Sequence, residues 1–217
     1  MQSLSRHEDY GQEPLHESHL LDDPIEQLRN WLAEAEASDI FEPNAFVLGT
    51  ADSDGSVRGR TVLLKGLDER GLFFASNYLS RKGEALSANK SVSAVFGWYS
   101  IYRQVLVQGF AERVAAVESD DYFASRPHDS QVAAWSSHQS QPIESRAELD
   151  QQFTDALERF ESKTVQRPDY WGGYRIVPLR IEFWKGRSNR MHDRIEFVRS
   201  IDASGQLTAW QIQRLQP

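Results

Sequence analysis

Trp184, Arg190, His192 and Arg194 lie close together in the segment Phe183-Trp184-Lys185-Gly186-Arg187-Ser188-Asn189-Arg190-Met191-His192-Asp193-Arg194. The segment follows an alternating run, Tyr174 to Glu182, that reads as a strand, so it is expected to be a reversal between two strands. Side chains two apart in extended chain share a face, which would point Arg190, His192 and Arg194 in a common direction. A cationic face flanked by an indole suits a planar anionic ligand.

Other segments carry groups of the same chemical kind. In Arg60-Thr61-Val62-Leu63-Leu64-Lys65, a regular strand puts Arg60 and Lys65 on opposite faces unless the register is broken. Asn77-Tyr78-Leu79-Ser80-Arg81-Lys82-Gly83 reads as a capped helix start, where free backbone N–H groups, Arg81 and Lys82 can cradle a phosphate. The same pattern also occurs as a plain cap with two solvated bases. Tyr122, Arg126 and Ser130 are spaced by four and would line one face of a continuous helix, although Pro127 interrupts it. Ser137-His138-Gln139-Ser140 holds a Ser-His pair, but no Gly-x-Ser-x-Gly elbow accompanies it, and Gln139 and Ser140 fit better as neutral hydrogen-bond partners. There is no P-loop, no glycine-rich dinucleotide fingerprint and no histidine pair at helical zinc spacing.

The elements that must position these groups follow from pattern. Asp23 caps a helix with Pro24 in its first turn and an apolar stripe of Ile25, Leu28, Trp31, Leu32 and Ala35. Strands are expected over 45–51, 57–67, 72–76, 91–99 and 104–115, with turns at Asp52 to Gly55 and Asp68 to Gly71. A short helix runs from Ser80 to about Ala88. Helices are expected over 117–125, from Pro127 to about Ser136, and from Ser145 to about Lys163; strands over 174–184, 194–199 and 208–215 end the chain. Strands at both ends with helices between them indicate an α+β fold on an antiparallel sheet or barrel. Residues 1–22 are polar, with His7, His16 and His19 at irregular spacing, and read as a flexible arm; 23–217 read as one domain.

The chain has 217 residues, 24 basic and 32 acidic, for a net charge of −8. That balance argues against general nucleic-acid binding, while leaving room for a local cationic pocket. The absence of cysteine excludes disulfides, thiolate catalysis and cysteine-based metal sites. No metal site is expected. No run has signal-peptide or membrane-spanning character, so a soluble cytoplasmic protein is the default expectation.

Taken in order, the quoted segments resemble the pyridoxine (pyridoxamine) 5′-phosphate oxidase family. The resemblance runs from about Asp23 to Pro217 and also includes Arg103-Gln104-Val105, Ser125-Arg126-Pro127, His138-Gln139-Ser140, Trp171-Gly172-Gly173-Tyr174 and the ending Arg214-Leu215-Gln216-Pro217. It implies a split β-barrel that binds FMN as a homodimer with shared active sites. It further implies flavin contacts from Arg60, Thr61, Val62, Leu63, Leu64 and Lys65, from Ala75 and Ser76, from Arg81 and Lys82, and from Gln104, Gln139, Ser140, Trp184 and Arg194. By the same resemblance Lys65, Tyr122, Arg126 and Ser130 hold a substrate phosphate, and Arg190, Met191 and His192 sit at the substrate ring, with Arg190 and His192 catalytic. Met191 stands where leucine is frequent, and Ala75-Ser76 is smaller than the family's common aromatic-threonine pair. The implied reaction is oxidation of pyridoxine or pyridoxamine 5′-phosphate by oxygen to pyridoxal 5′-phosphate, with hydrogen peroxide, and ammonia from the amine. The competing expectations are a phenazine-type FMN oxidase of another aromatic, a non-catalytic carrier of FMN or pyridoxal phosphate, and a barrel with no ligand.

Overall fold

Two residues, Leu64 and Lys65, separate strand β2 (Val57–Leu63) from β3 (Gly66–Asp68), yet these strands sit at opposite ends of the sheet path. The sheet must therefore curl until its two edges approach. The computed structural model describes residues 10–217. Among them the strands β1 (Ala45–Ala51), β2, β3, β4 (Gly71–Asn77), β5 (Ser91–Trp98), β6 (Arg103–Arg113) and β7 (Trp171–Lys185) run in the order β2-β1-β5-β6-β7-β4-β3. All pairings are antiparallel. Strand β8 (Asp193–Val198) pairs with β7 and with β9 (Gln211–Leu215). The α+β antiparallel barrel expected from the sequence is the observed architecture.

The long strand β7 organises the molecule. Its first half pairs with β4 and its second half with β8, while β6 runs along its other side. A register shift in β6 at Gln108/Gly109 lies where β7 carries Pro178, which cannot donate to the ladder. Inside the curl, Phe46, Leu48, Phe74, Phe96, Trp98, Ile176, Phe183 and Ile195 are essentially fully buried. Strand β5 shows the alternation that this burial requires, with every second residue inward.

The helices are placed by their caps. Asp23 accepts a hydrogen bond from the Ile25 N–H (2.8 Å) at the start of α1 (Pro24–Ala37), and Leu28, Trp31 and Ala35 cover the barrel core. Ser80 caps α2 (Arg81–Ala88) by accepting from the Gly83 N–H. A Cβ at position 83 would overlap the Tyr78 carbonyl group, backbone that cannot yield cheaply. Gly83→Ala should therefore destabilise the fold by about 1–3 kcal/mol, the usual cost of overpacking, seen as a lower thermal midpoint. Helices α3 (Ala116–Ser125), α4 (His128–Ser136) and α5 (Arg146–Phe160) form a second, smaller core around Phe123, Val132 and Ala156, into which β7 contributes Trp171.

Two expectations are corrected. The extended run 57–67 is broken at Leu64 and Lys65: Leu64 is buried, and the Lys65 N–H donates to the Phe73 carbonyl (2.8 Å) as the chain passes from one sheet edge to the other. Tyr122, Arg126 and Ser130 do not share one helix. Helix α3 ends at Ser125, Arg126 is its C-cap and α4 starts after Pro127, as the missing N–H and fixed φ of proline require. Gln131 stitches this corner by donating to the carbonyls of Phe123, Ala124 and Arg126.

The described part of the expected arm, residues 10–22, lies against the barrel. Leu15 is buried, its N–H donates to Asp193 (3.0 Å), and Arg214 clasps both Glu17 and the Leu15 carbonyl. The rest of that stretch, His7 included, lies outside the described residues.

Candidate active site

Arg60, Lys65, Lys82 and Arg126 converge on one cavity of about 390 Å³, and no carboxylate lines it. Thr61, Val62, Leu63, Ala75, Ser76, Asn77, Tyr122, Gln139 and Trp171 complete the wall. The break after Leu63 explains how Arg60 and Lys65 reach the same space: regular pairing would have put them on opposite faces. Lys82 donates from Nζ to Gln139 Oε1 (3.0 Å) and Ser80 Oγ (3.3 Å), both neutral acceptors. Arg60 donates to the Leu48 carbonyl (2.9 Å) and Thr50 Oγ1 (2.8 Å). Arg126 lies over the Trp171 ring at 4.5 Å, and its Nη1 is buried with no hydrogen-bond partner among the described residues.

The electrostatics of this cavity favour an anion. Burial, reinforced by the neighbouring Arg60 charge, pushes the Lys82 ammonium down to about 8. Burial likewise lowers Arg60 and Arg126 and raises the Tyr122 phenol. These cations are desolvated with no carboxylate in the cavity wall, and the charge of Asp52 offsets only part of the effect on Arg60, so a bound anion would offset a cost already present in the fold.

A second cluster forms at the other end of β7. Trp184 packs on His192 with ring centroids 4.7 Å apart, and Tyr10 meets both edge-on, at 6.1 and 5.3 Å. Gln104 lies opposite Trp184 in the β6–β7 ladder. His192 Nδ1 accepts from the Arg187 N–H (3.0 Å), and burial together with the Arg190 charge lowers its pKa. Its neutral ring therefore carries the proton on Nε2. The expected common face of Arg190, His192 and Arg194 is not extended chain: Ser188–Arg190 is a tight turn, with Asn189 (φ 56°) and Arg190 (φ 60°) both left-handed. Arg190 and Met191 are exposed there. Arg194 makes a two-pronged pair with buried Glu182 (2.7 and 2.9 Å), while Asp193 pairs with Arg187 and Arg214. The adjacent Asp193 is thus not the partner of Arg194.

Of the residues expected at the site, Arg60, Thr61, Val62, Leu63, Lys65, Ala75, Ser76, Lys82, Tyr122, Arg126 and Gln139 share the cavity. Leu64 points into the core, Arg81 lines a separate surface depression with Asp52, Arg58 and Glu84, and Ser130 and Ser140 lie outside the cavity lining. Gln104, Trp184, Arg190, Met191, His192 and Arg194 are also absent from its wall. Asn77 and Trp171 line the cavity without having been singled out. The sequence pattern starts this strand at Tyr174, whereas β7 begins at Trp171, opposite Asn77 at the end of β4, and that pairing brings the indole to the cavity.

Comparison with known proteins decides the family. Residues 32–160 match the pyridoxamine 5′-phosphate oxidase family, and residues 171–217 match the pyridoxine 5′-phosphate oxidase C-terminal dimerisation region. A pyridoxine/pyridoxamine 5′-phosphate oxidase of Thermobifida fusca is 49% identical over 97% of this chain and 96% of its own. One of Rubrobacter xylanophilus is 50% identical over 90% of this chain and 87% of its own. The chain belongs to the pyridoxine/pyridoxamine 5′-phosphate oxidase family. Among solved structures, PhzG of Burkholderia lata, in complex with tetrahydrophenazine-1-carboxylic acid, superposes with a TM-score of 0.86 at 29% identity, covering 95% of this chain and 99% of its own. The barrel is thus the split barrel of this oxidase family, an oxidoreductase scaffold. The matched dimerisation region of the oxidase family begins at Trp171 and contains Trp184, His192 and Arg194, the whole of the second cluster apart from Tyr10 and Gln104. Among the described residues, no helix is long and apolar enough to cross a membrane, and no cluster of His, Asp or Glu is suited to hold a metal ion.

Proposed function

We propose that the protein is an FMN-dependent pyridoxine/pyridoxamine 5′-phosphate oxidase. The observation that carries this reading is that Lys82 and Arg126, from distant stretches of chain, line one cavity rich in cations and free of carboxylates. The fit to FMN rests on Lys82, a desolvated ammonium with only neutral acceptors in a wall free of carboxylates, while the orphaned Arg126 Nη1 leaves a second donor for a substrate phosphate. Lys82 at the start of α2 would grip the cofactor phosphate, the Arg60–Lys65 strand end and Ala75-Ser76 would line its ring, and Arg81 would have to turn from its separate depression to join the grip. Lys65, Tyr122 and Arg126, with Ser130 in the next helix, take the substrate phosphate. When bound, FMN would supply the two-electron acceptor for oxidation at the substrate's 4′ carbon, with oxygen as the final acceptor.

The second cluster enters from a partner copy. Trp171 and Trp184 stand at opposite ends of β7, separated by roughly 40 Å of strand at the usual rise per residue. One chain does not bring its own Trp184, Arg190, His192 and Arg194 to the wall of its own cavity, whereas a homodimer joined through the dimerisation region supplies them from the second subunit. There Arg190 would hold and polarise the substrate at C4′, neutral His192, whose Nδ1 accepts from the Arg187 N–H, would orient it through Nε2–H, and Arg194, fixed by Glu182, would stabilise negative charge on a reduced cofactor. The products are pyridoxal 5′-phosphate and hydrogen peroxide, with water consumed and ammonia released from the amine substrate. A soluble, cytoplasmic enzyme of vitamin B6 synthesis and salvage accords with this chemistry.

The likeness to PhzG favours one alternative, oxidation of an unphosphorylated aromatic acid. The test is anaerobic mixing of the purified yellow protein with pyridoxine 5′-phosphate and, separately, with pyridoxine. Rapid bleaching of the flavin by the ester and at least tenfold slower bleaching by the free alcohol are expected, given an anchoring phosphate. Equal rates would remove the phosphate-ester reading, and a colourless protein that takes up no FMN would remove the flavin.

A further inference from the structure

Trp171 packs against two other residues of the cavity wall, Tyr122 and Arg126, and its own position is fixed by backbone pairing, hydrogen bonds and packing. It is the first residue of β7, in register with Asn77 of β4. Its N–H donates to the Pro168 carbonyl (3.0 Å), and its carbonyl accepts from Arg167 Nη1 (2.6 Å). Arg167 is itself tied to Asp120 of α3 (2.6 Å). The indole edge packs against Phe123, with centroids 5.2 Å apart. Against this fixed plate, the Tyr122 ring lies almost parallel, at 8° and 6.1 Å, and the Arg126 guanidinium sits 4.5 Å from the ring centroid.

A guanidinium on a flexible stem has many rotamers, and ordering it costs entropy at the moment of binding. Arg126 has no acidic partner in the cavity wall to hold it, and burial already lowers the pKa of its guanidinium. Two aromatic faces hold it instead, the Trp171 indole at 4.5 Å and, more distantly, the Phe123 ring at 5.5 Å. The cation–π contact with the nearer indole restricts the guanidinium without using its N–H donors, one of which, Nη1, is buried without a partner among the described residues.

We propose that Trp171 is a positioning residue for phosphate-ester recognition, holding Arg126 and Tyr122 in the geometry that grips the substrate phosphate. This rests on the functional reading above and extends it to a residue that touches the reaction only through its neighbours.

The test is a double-mutant cycle on the FMN-loaded dimer, with Trp171→Leu and Arg126→Lys alone and together. The readouts are steady-state kinetics with pyridoxine 5′-phosphate and equilibrium binding of pyridoxal 5′-phosphate. Trp171→Leu should raise KM and weaken pyridoxal 5′-phosphate binding about tenfold, the scale of a desolvated cation–π contact, while kcat falls much less. In the Arg126→Lys background, which keeps a charge but no planar fork, the same change should add less than twofold. Trp171→Phe, which keeps an aromatic face, should recover most of the binding. In a spectrum of 15N-arginine-labelled protein, the Arg126 Nε–H signal should lie upfield through the indole ring current and lose that displacement in Trp171→Leu. An equal loss in both backgrounds, or an Arg126 signal unmoved by Trp171→Leu, would overturn the positioning role. If the unsubstituted holoenzyme binds pyridoxal and its phosphate equally, the functional reading fails instead, and the proposal falls with it.

Discussion

Replacing Lys82 with methionine should weaken FMN binding about 100-fold, the order expected when a charged hydrogen-bond donor to phosphate is lost from a partly buried site. Lys82 sits beside the first turn of α2 with only neutral acceptors, Gln139 and Ser80, within reach. Nothing in the cavity wall neutralises it, and Arg60 adds to its discomfort. That environment also fixes the sign of a pH effect. With its pKa pushed from 10.5 to about 8, Lys82 in the ligand-free protein is an ammonium below that value and a neutral amine above it. FMN affinity should then be level between about pH 7, where the phosphate is mostly dianionic, and pH 8, and fall by up to about tenfold per pH unit above it, until the higher pKa that a bound phosphate imposes is reached. Ligand-free stability should carry the opposite slope from this group. The unfolded chain binds more protons between about 8 and 10.5, so the penalty of burying the ammonium is full below 8 and relaxes as pH rises through that window. Fluorescence titration of FMN across pH 7 to 10 measures the first effect, with Lys82→Arg expected to flatten the profile. A flat profile in the unsubstituted protein, or full FMN affinity in Lys82→Met, would remove Lys82 from the phosphate grip.

Much of this site is legible in the sequence because each piece is local. Ser80 before Arg81 and Lys82 announces a capped, cationic helix start, and the start of α2 is where it was expected. The alternation in 91–98 and the turn at Asp52 to Gly55 place β5 and the β1–β2 hairpin correctly. What pattern alone misses is set by long-range closure. A two-residue break between β2 and β3 looks, in sequence, like the middle of one extended run over 57–67. Only the curling of the sheet makes it a corner, and that corner sends Arg60 and Lys65 to one side. Glu182 and Arg194 are twelve residues apart and meet only because β7 and β8 pair. Residues 10–22 are too polar to announce a buried contact, and their hold on the barrel rests on Leu15 and on charges near the C-terminal strand.

Arg126→Ala should separate the phosphate-ester reading from its competitor most sharply. Arg126 projects from the corner between α3 and α4, a position enforced by Pro127 and by the three hydrogen bonds of Gln131. Its guanidinium is half-buried against Trp171, with Nη1 unpartnered, so the protein keeps a desolvated cation at a cost that only an anion relieves. Two charge-assisted hydrogen bonds to a phosphate, at about 1.5–3 kcal/mol each before losses, predict a rise in KM for pyridoxine 5′-phosphate of about 100-fold. The effect should fall mainly on KM, because the phosphate is bound equally in the ground state and the transition state. Activity toward unphosphorylated pyridoxine, already low, should change less than about twofold, and FMN should stay bound because Lys82 is untouched. The ligand-free variant should also unfold at the same temperature as its parent or slightly higher, since an uncompensated buried cation has been removed. A phenazine-type oxidase predicts a different outcome: substrates with and without phosphate would suffer alike, because no phosphate would ever have met the guanidinium.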